Sequence, residues 1–436
     1  MSSTELALRK QGMKRIHIRG ARVIDPANQI DQLGDVWIAD GRIAGVIHAP
    51  AGFNAEHVID GAGLVVCPGL VDLRARPREP GHEHKGTIAS ECAAAVAGGV
   101  TTLCCPPDTD PVIDNPAVAD LIHHRAGLAG KARVVTLGAL TQRLKGMQLS
   151  EMHALKQAGC VGVSNALNAI SDTQVMRRAL EYAASLDLTV FLHSEDPWLS
   201  GGVMHESPVS ARLGLTGIPE TAETIAVGRD LLLIQQTGAR AHFGNLSTAR
   251  AVQMVARVQY DGLPVSADVT AHHLHLTDMD VGDFNANCHV RPPLRGARDR
   301  AGLITGIQRG TLAAICSDHQ PHDADAKLAP FAETEPGISA IETLLPLSLR
   351  AGEEAGMKLS DLITRVTHGP AKILGIGAGT LHVGVPADVC IFDPKEYWTV
   401  NESQLVSQGR NTPFTGWELQ GRVRYTLVGG MVVFQS

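Results

Sequence analysis

The chain has 436 residues, 44% of them hydrophobic and 19% charged, and 38 basic against 45 acidic side chains give a formal charge of −7. That length exceeds one ordinary domain but suits a barrel of roughly 250 residues plus an appendage, and the composition is that of a soluble globular protein with a large core. The acidic balance leaves no electrostatic footprint for nucleic acid, and no apolar run reaches signal-core or membrane-span length, so a cytoplasmic protein with neither kind of partner is expected.

In chain order, Met1–Lys14 mixes Glu5, Arg9 and Lys10 with short apolar stretches and reads as a leader, the one segment expected to be disordered. From Arg15 to about Val66 the pattern is of short strands, IHIRGARVID, DVWIADGRIAGVI and GLVV, with Asp40-Gly41 marking a tight hairpin. A different rhythm follows between residues 67 and 378. Short buried β-type runs at Leu70–Leu73, Thr101–Cys105, Arg133–Leu137, Cys160–Ser164, Thr189–His193, Ala239–Phe243, Pro264–Val269 and Ala313–Ser317 alternate with helical-period segments such as Gln174–Ser185 and Glu220–Thr237. Eight such alternations predict an α/β fold, a parallel (β/α)8 barrel with its site at the C-terminal strand ends. Gly379–Phe392 and Gly421–Phe434 return to Gly-punctuated β patterns, so residues 15–66 and 379–436 are expected to combine into one small β-sandwich. The eight cysteines (67, 92, 104, 105, 160, 288, 316 and 390) form no CxxC pair and read as reduced, buried small hydrophobes.

Barrel chemistry sits where strands end. The first predicted strand runs into Asp72-Leu73-Arg74-Ala75-Arg76-Pro77-Arg78-Glu79-Pro80-Gly81, the second into Pro107-Asp108-Thr109, and the fourth into Ser164-Asn165-Ala166. The fifth ends in His193-Ser194-Glu195, the sixth in Gly244-Asn245-Leu246-Ser247-Thr248, the seventh in His272-His273, and the eighth in Asp318-His319-Gln320-Pro321-His322.

With REPG at 78–81, NLSTAR at 245–250, PPLR at 292–295, DHQPH at 318–322, PGIS at 336–339 and GRNTPFTGW at 409–417, nearly the whole chain resembles the dihydroorotases of the amidohydrolase superfamily. An active member, by that resemblance, carries His-x-His after strand 1, Asp after strand 4, His after strands 5 and 6, and Asp after strand 8. These hold zinc, which needs neutral imidazoles and carboxylates and acidifies the water that attacks a cyclic amide. Here the corresponding positions are Arg74 and Arg76, Asn165, His193, Asn245 and Asp318, so only His193 and Asp318 match. Arginine is permanently protonated and has no lone pair for a metal, so no zinc site and no cofactor are expected. A guanidinium is expected instead to enter the ligand cavity and pair with Asp318. On the substrate side Arg78 matches the family's carboxylate-binding arginine, whereas Asp108 and Arg291 stand where the family has asparagines.

The resemblance therefore implies a catalytically inactive, dihydroorotase-like chain of pyrimidine biosynthesis. It is similar to the non-catalytic chains that assemble with the catalytic chain of aspartate carbamoyltransferase, and a homo-oligomer is expected. One alternative is an active cyclic amide hydrolase with a reduced zinc site built on His193 and Asp318, the latter as catalytic residue. Another is a small-anion sensor using Arg78 and the barrel mouth. The hydantoinase-like branch, with its carboxylated lysine after strand 4, is disfavoured because no Lys stands near Ser164-Asn165. His82 and His84, following a Pro-Gly turn, read as a solvated loop, and His272 and His273 as packing or hydrogen-bonding residues.

Overall fold

The computed structural model describes residues 15–436; the predicted leader Met1–Lys14 lies outside the described residues. Five strands open the chain: β1 (Ile16–Asp25), β2 (Ile30–Ala39), β3 (Arg42–Val46), β4 (His57–Asp60) and β5 (Val65–Pro68). Between β2 and β3, Asp40 and Gly41 both take positive φ, 51° and 75°, which is the backbone a right-twisted two-residue hairpin requires.

After Gly69 the barrel begins. Its strands are β6 (Leu70–Asp72), β7 (Val100–Cys105), β8 (Arg133–Ala139), β9 (Gly162–Ser164) and β10 (Thr189–His193). A short pair, β11 (Met204–His205) and β12 (Gly217–Ile218), decorates the next loop, and β13 (Ala241–Gly244), β14 (Val265–Thr270) and β15 (Ala314–Cys316) complete the ring. All eight predicted runs are strands; Thr189–His193 matches at both ends and the other seven are shifted by one or two residues. They pair in parallel in chain order from β6 to β15, and an Ala75–His319 bridge closes the first strand's end onto the eighth's.

Strands covered by helices on the outside and side chains on the inside carry continuous apolar runs; every residue of β7, VTTLCC, is buried. Helices return the chain to the barrel floor, started and stopped by local signals. Asn115 accepts a hydrogen bond from Ala117 N to cap Pro116–Ala129, which ends at Gly130 with φ 62°. Thr248 likewise caps Ala249–Tyr260.

The last strands are β16 (Val389–Thr399), β17 (Glu418–Val428) and β18 (Met431–Gln435). Hydrogen bonds join these three strands and β1–β5 in one mixed sheet of eight, ordered β18-β17-β16-β5-β1-β2-β3 with β4 on β1. The sheet folds back on itself through contacts of β3 with residues 384–387, around a core that includes Ile18, Val36, Ile43, Val66, Ile391 and Leu427. Residues 400–417, between β16 and β17, leave this sheet and reach the barrel mouth. All eight cysteines are free and buried, and no helix among the described residues is long and apolar enough to cross a membrane.

Candidate functional site

Side chains alternate along an extended strand, so Asp72, Arg74 and Arg76 point to one face while Leu73 and Ala75 point to the other. That face is the barrel interior. Arg74 and Arg76 are only 6% and 4% exposed. Arg76 donates from Nε to Asp108 at 2.9 Å and from Nη1 to Asp318 at 3.0 Å, and Gln320 Nε2 donates to the other Asp318 oxygen at 3.0 Å. Burial alone would weaken the Arg76 charge, but the fields of Asp108 and Asp318 outweigh it and hold the guanidinium protonated. For Asp108 burial pushes the carboxyl up, and Arg76, with help from Arg78 and Arg74, pulls it below the usual carboxylate range.

Arg74 enters the same interior beside Gly244, where a Cβ would stand 2.8 Å from its Nη2; a larger residue at 244 would displace the guanidinium. Its Nη1 has no protein partner. The charge acts on Asp268, which is held below the usual range mainly because its bonds to His242 outweigh burial, with Arg74 adding to the effect. Asn245 donates its backbone N–H to Asp268 at 2.6 Å and accepts from Cys316 Sγ at 3.3 Å. Asn165 is fully occupied: Oδ1 accepts from Thr141 at 2.7 Å, while Nδ2 donates to the carbonyls of Leu144 and Asn168.

His193 Nε2 lies 3.1 Å from Glu195, whose same oxygen accepts from Arg291 Nε at 2.6 Å. Glu195 is thus the centre of a triad that joins two positions singled out from the sequence and was itself not singled out. Arg78 reaches over the mouth, donating from Nε to Pro321 O at 2.9 Å and meeting His322 Nε2 at 3.0 Å. Burial lowers its pKa to about 10, with Arg76 adding to the effect. His82 and His84 sit on the loop beyond it, His84 exposed and His82 half-buried. His272 and His273 are buried beneath the mouth; His273 bonds Thr270 and the Pro293 carbonyl.

Four strand-end residues hold left-handed backbone: Arg78 (φ 66°), Ala166 (50°), Asn245 (56°) and Asp318 (45°). Such conformations cost of order 1–2 kcal/mol for residues with a Cβ and cluster where a site's geometry is fixed by its surroundings. Two further buried pairs escaped sequence reading, His319–Glu91 at 2.8 Å and His242–Asp268 at 2.9 Å. Glu91 was findable in principle as the lone acid on the buried face of the helix Ile88–Ala97, IASECAAAVA.

The zinc that the resemblance implies for active members does not fit these residues. Asp318 has a guanidinium on one oxygen and an amide on the other. The amides at 165 and 245 offer weak donors in place of a carboxylate and an imidazole. Among the described residues, no three His, Cys, Asp or Glu side chains converge as a metal-binding group. Arg74 and Arg76 add positive charge where a divalent cation would have to sit.

Known proteins agree with this architecture. A family described as Dihydro-orotase-like matches residues 63–251, and the Amidohydrolase family matches residues 337–434. A "dihydroorotase-like protein" of Pseudomonas aeruginosa is 52% identical, covering 97% of this chain and 100% of that one. A protein named dihydroorotase from Syntrophotalea carbinolica is 44% identical over 97% of this chain and 99% of its own length. Among solved structures, L-hydantoinase (dihydropyrimidinase) from Arthrobacter aurescens superposes with TM-score 0.87 at 24% identity, covering 97% of this chain and 96% of that one, a likeness of fold. The chain belongs to the dihydroorotase-like family of the amidohydrolases.

Proposed function

We propose that this chain is a non-catalytic dihydroorotase-like protein of pyrimidine biosynthesis, needs no metal, and serves as a structural subunit for the catalytic chain of aspartate carbamoyltransferase. The observation that carries the loss of catalysis is the Arg76 guanidinium bridging Asp108 and Asp318 inside the barrel. A fixed cation covalently attached to the first strand end stands in for the charge a metal would bring, and a guanidinium has no coordination position in which to hold and acidify a water. Both Asp318 oxygens are engaged in the site's own hydrogen bonds, one with Arg76 and the other with Gln320. Asp108 places a carboxylate at the mouth, which repels an anionic substrate.

The partner assignment rests on the resemblance to non-catalytic chains and on what this chain retains. Its matching landmarks are loop-fixing residues, and its departures fall at metal-ligand positions (Arg74, Arg76, Asn165, Asn245) and substrate-side positions (Asp108, Arg291). A second reading, a mononuclear amide hydrolase, draws on the relatives named dihydroorotase. His193 Nδ1, buried and without a protein partner, is the atom it would use. Protein purified without chelator decides between them: substoichiometric zinc and no dihydroorotate turnover support the scaffold, and one tightly held zinc with turnover supports the enzyme. Co-expression with aspartate carbamoyltransferase, followed by size exclusion, should give one co-eluting complex; separate elution at micromolar concentration would contradict the partner assignment.

A further inference from the structure

The opposite end of the barrel carries a cavity that the proposed function leaves unused. It occupies about 490 Å3 where β10, β13, β14 and β15 begin, and the helix His368–Leu374 closes one side. Four basic side chains line it, Arg240, Arg365, His368 and Lys372, and no Asp or Glu does. In a chain of formal charge −7 this is a local reversal of sign.

Arg365 and Lys372 carry charges that no ion pair among the described residues uses. Arg365 donates from Nε to the Ile307 carbonyl at 3.2 Å, and its two Nη groups make no hydrogen bond or ion pair among the described residues. Burial lowers its pKa, with Asp361, outside the cavity lining, alone offsetting the effect. Arg240 holds Thr189 through Nε and the exposed Asp187 through Nη2. His368 and Lys372, four residues apart, share a helix face. Gly369 fixes that helix: a Cβ there would lie 2.4 Å from the Ala313 carbonyl, so nothing larger allows so close an approach. The rest of the lining includes the apolar surfaces of Leu263, Val265 and Ile373.

We propose that this cavity binds an organic phosphate of mononucleotide size, its phosphate held by Arg365, Lys372 and His368 and its apolar portion against Leu263, Val265 and Ile373. The volume lies within the range of small-molecule sites, and paired guanidinium and ammonium donors are the groups that recognise phosphate. A purely inorganic anion would leave the apolar wall uncovered, and an uncharged nucleoside would leave the cations unpaired.

Titration calorimetry on the full chain, with uridine monophosphate, adenosine monophosphate, uridine and inorganic phosphate as probes, tests this. The expected result is submillimolar binding of at least one nucleotide, weaker binding of phosphate, and none of uridine. Lys372 is exposed, so Lys372→Glu should fold normally and weaken nucleotide binding by roughly tenfold or more. Arg365→Lys, keeping the charge but losing the fork, should weaken it less. Absence of binding by both nucleotides, binding of uridine as tight as its phosphate, or nucleotide affinity unchanged in Lys372→Glu would each overturn the proposal.

Discussion

Arg76 concentrates the energetics of the site in one side chain. It is buried between two carboxylates, and removing one member of such a group leaves the others charged and desolvated, at about 3–5 kcal/mol. Arg76→Gln should therefore lower the urea midpoint sharply, and adding Asp318→Asn and Asp108→Asn should restore much of the loss, since neutral partners no longer need the cation. The acid limb gives an independent check. Asp108 is held below its unfolded value of about 3.9, so the stability it contributes is fully present above that pH and disappears as the pH falls through the folded value. The deficit of Arg76→Gln relative to the parent should accordingly be largest near neutrality and shrink as the pH falls toward and below about 4, as the carboxylates left without the cation take up protons. A deficit that stays unchanged into acid would show that the pairing contributes little.

The loops at the barrel mouth explain which family landmarks this chain keeps. Glu223, from the helix Glu220–Thr237, accepts from the backbone N–H groups of Ser247 and Thr248 and from both hydroxyls, which fixes NLSTAR. Arg295 of PPLR donates to Ser247 Oγ and to the Ile218 carbonyl. Asn411 of GRNTPFTGW donates to the Gln320 and Gly337 carbonyls, both at 3.0 Å, and accepts from His322 N at 2.8 Å, tying residues 400–417 to DHQPH and PGIS. Asn411→Ala strands three buried backbone groups and should cost roughly 2–3 kcal/mol. It should also expose residues 400–417 to limited proteolysis; an unchanged cleavage pattern would mean the segment is held elsewhere. The strands were legible because buried parallel runs are short, apolar and separated by helical period. Arg74, Arg76 and Asp318 were legible because strand ends place them together whatever their side chains. Glu195 with Arg291, 96 residues apart, and His319 with Glu91, 228 apart, were not, since a buried ion pair leaves a mark on each residue but none on the pairing.

For the molecule as a whole, buried neutral imidazoles set the response to acid. His273, His275 and His289 are each lowered to about 4, and His322 to about 2, chiefly by burial. Each binds a proton in the unfolded chain below about 6.5 but not in the folded one, so its contribution is present above that pH and is lost as the pH falls toward the folded value. Unfolding between about pH 6 and 4 should take up protons, and stability should drop by up to about 1.4 kcal/mol per pH unit for each such histidine. Urea titrations at stepped pH measure this directly, and a flat profile over that interval would contradict the burial assignment. Whether a guanidinium or a metal ion lies between the first and eighth strand ends decides whether the barrel can catalyse. The most direct test is a crystal structure of the protein grown with excess zinc, with anomalous data collected at the zinc edge. Arg76 should lie on Asp318 with no anomalous peak in the barrel; a metal ion bound to Asp318 and His193, with Arg76 swung aside, would overturn the non-catalytic reading.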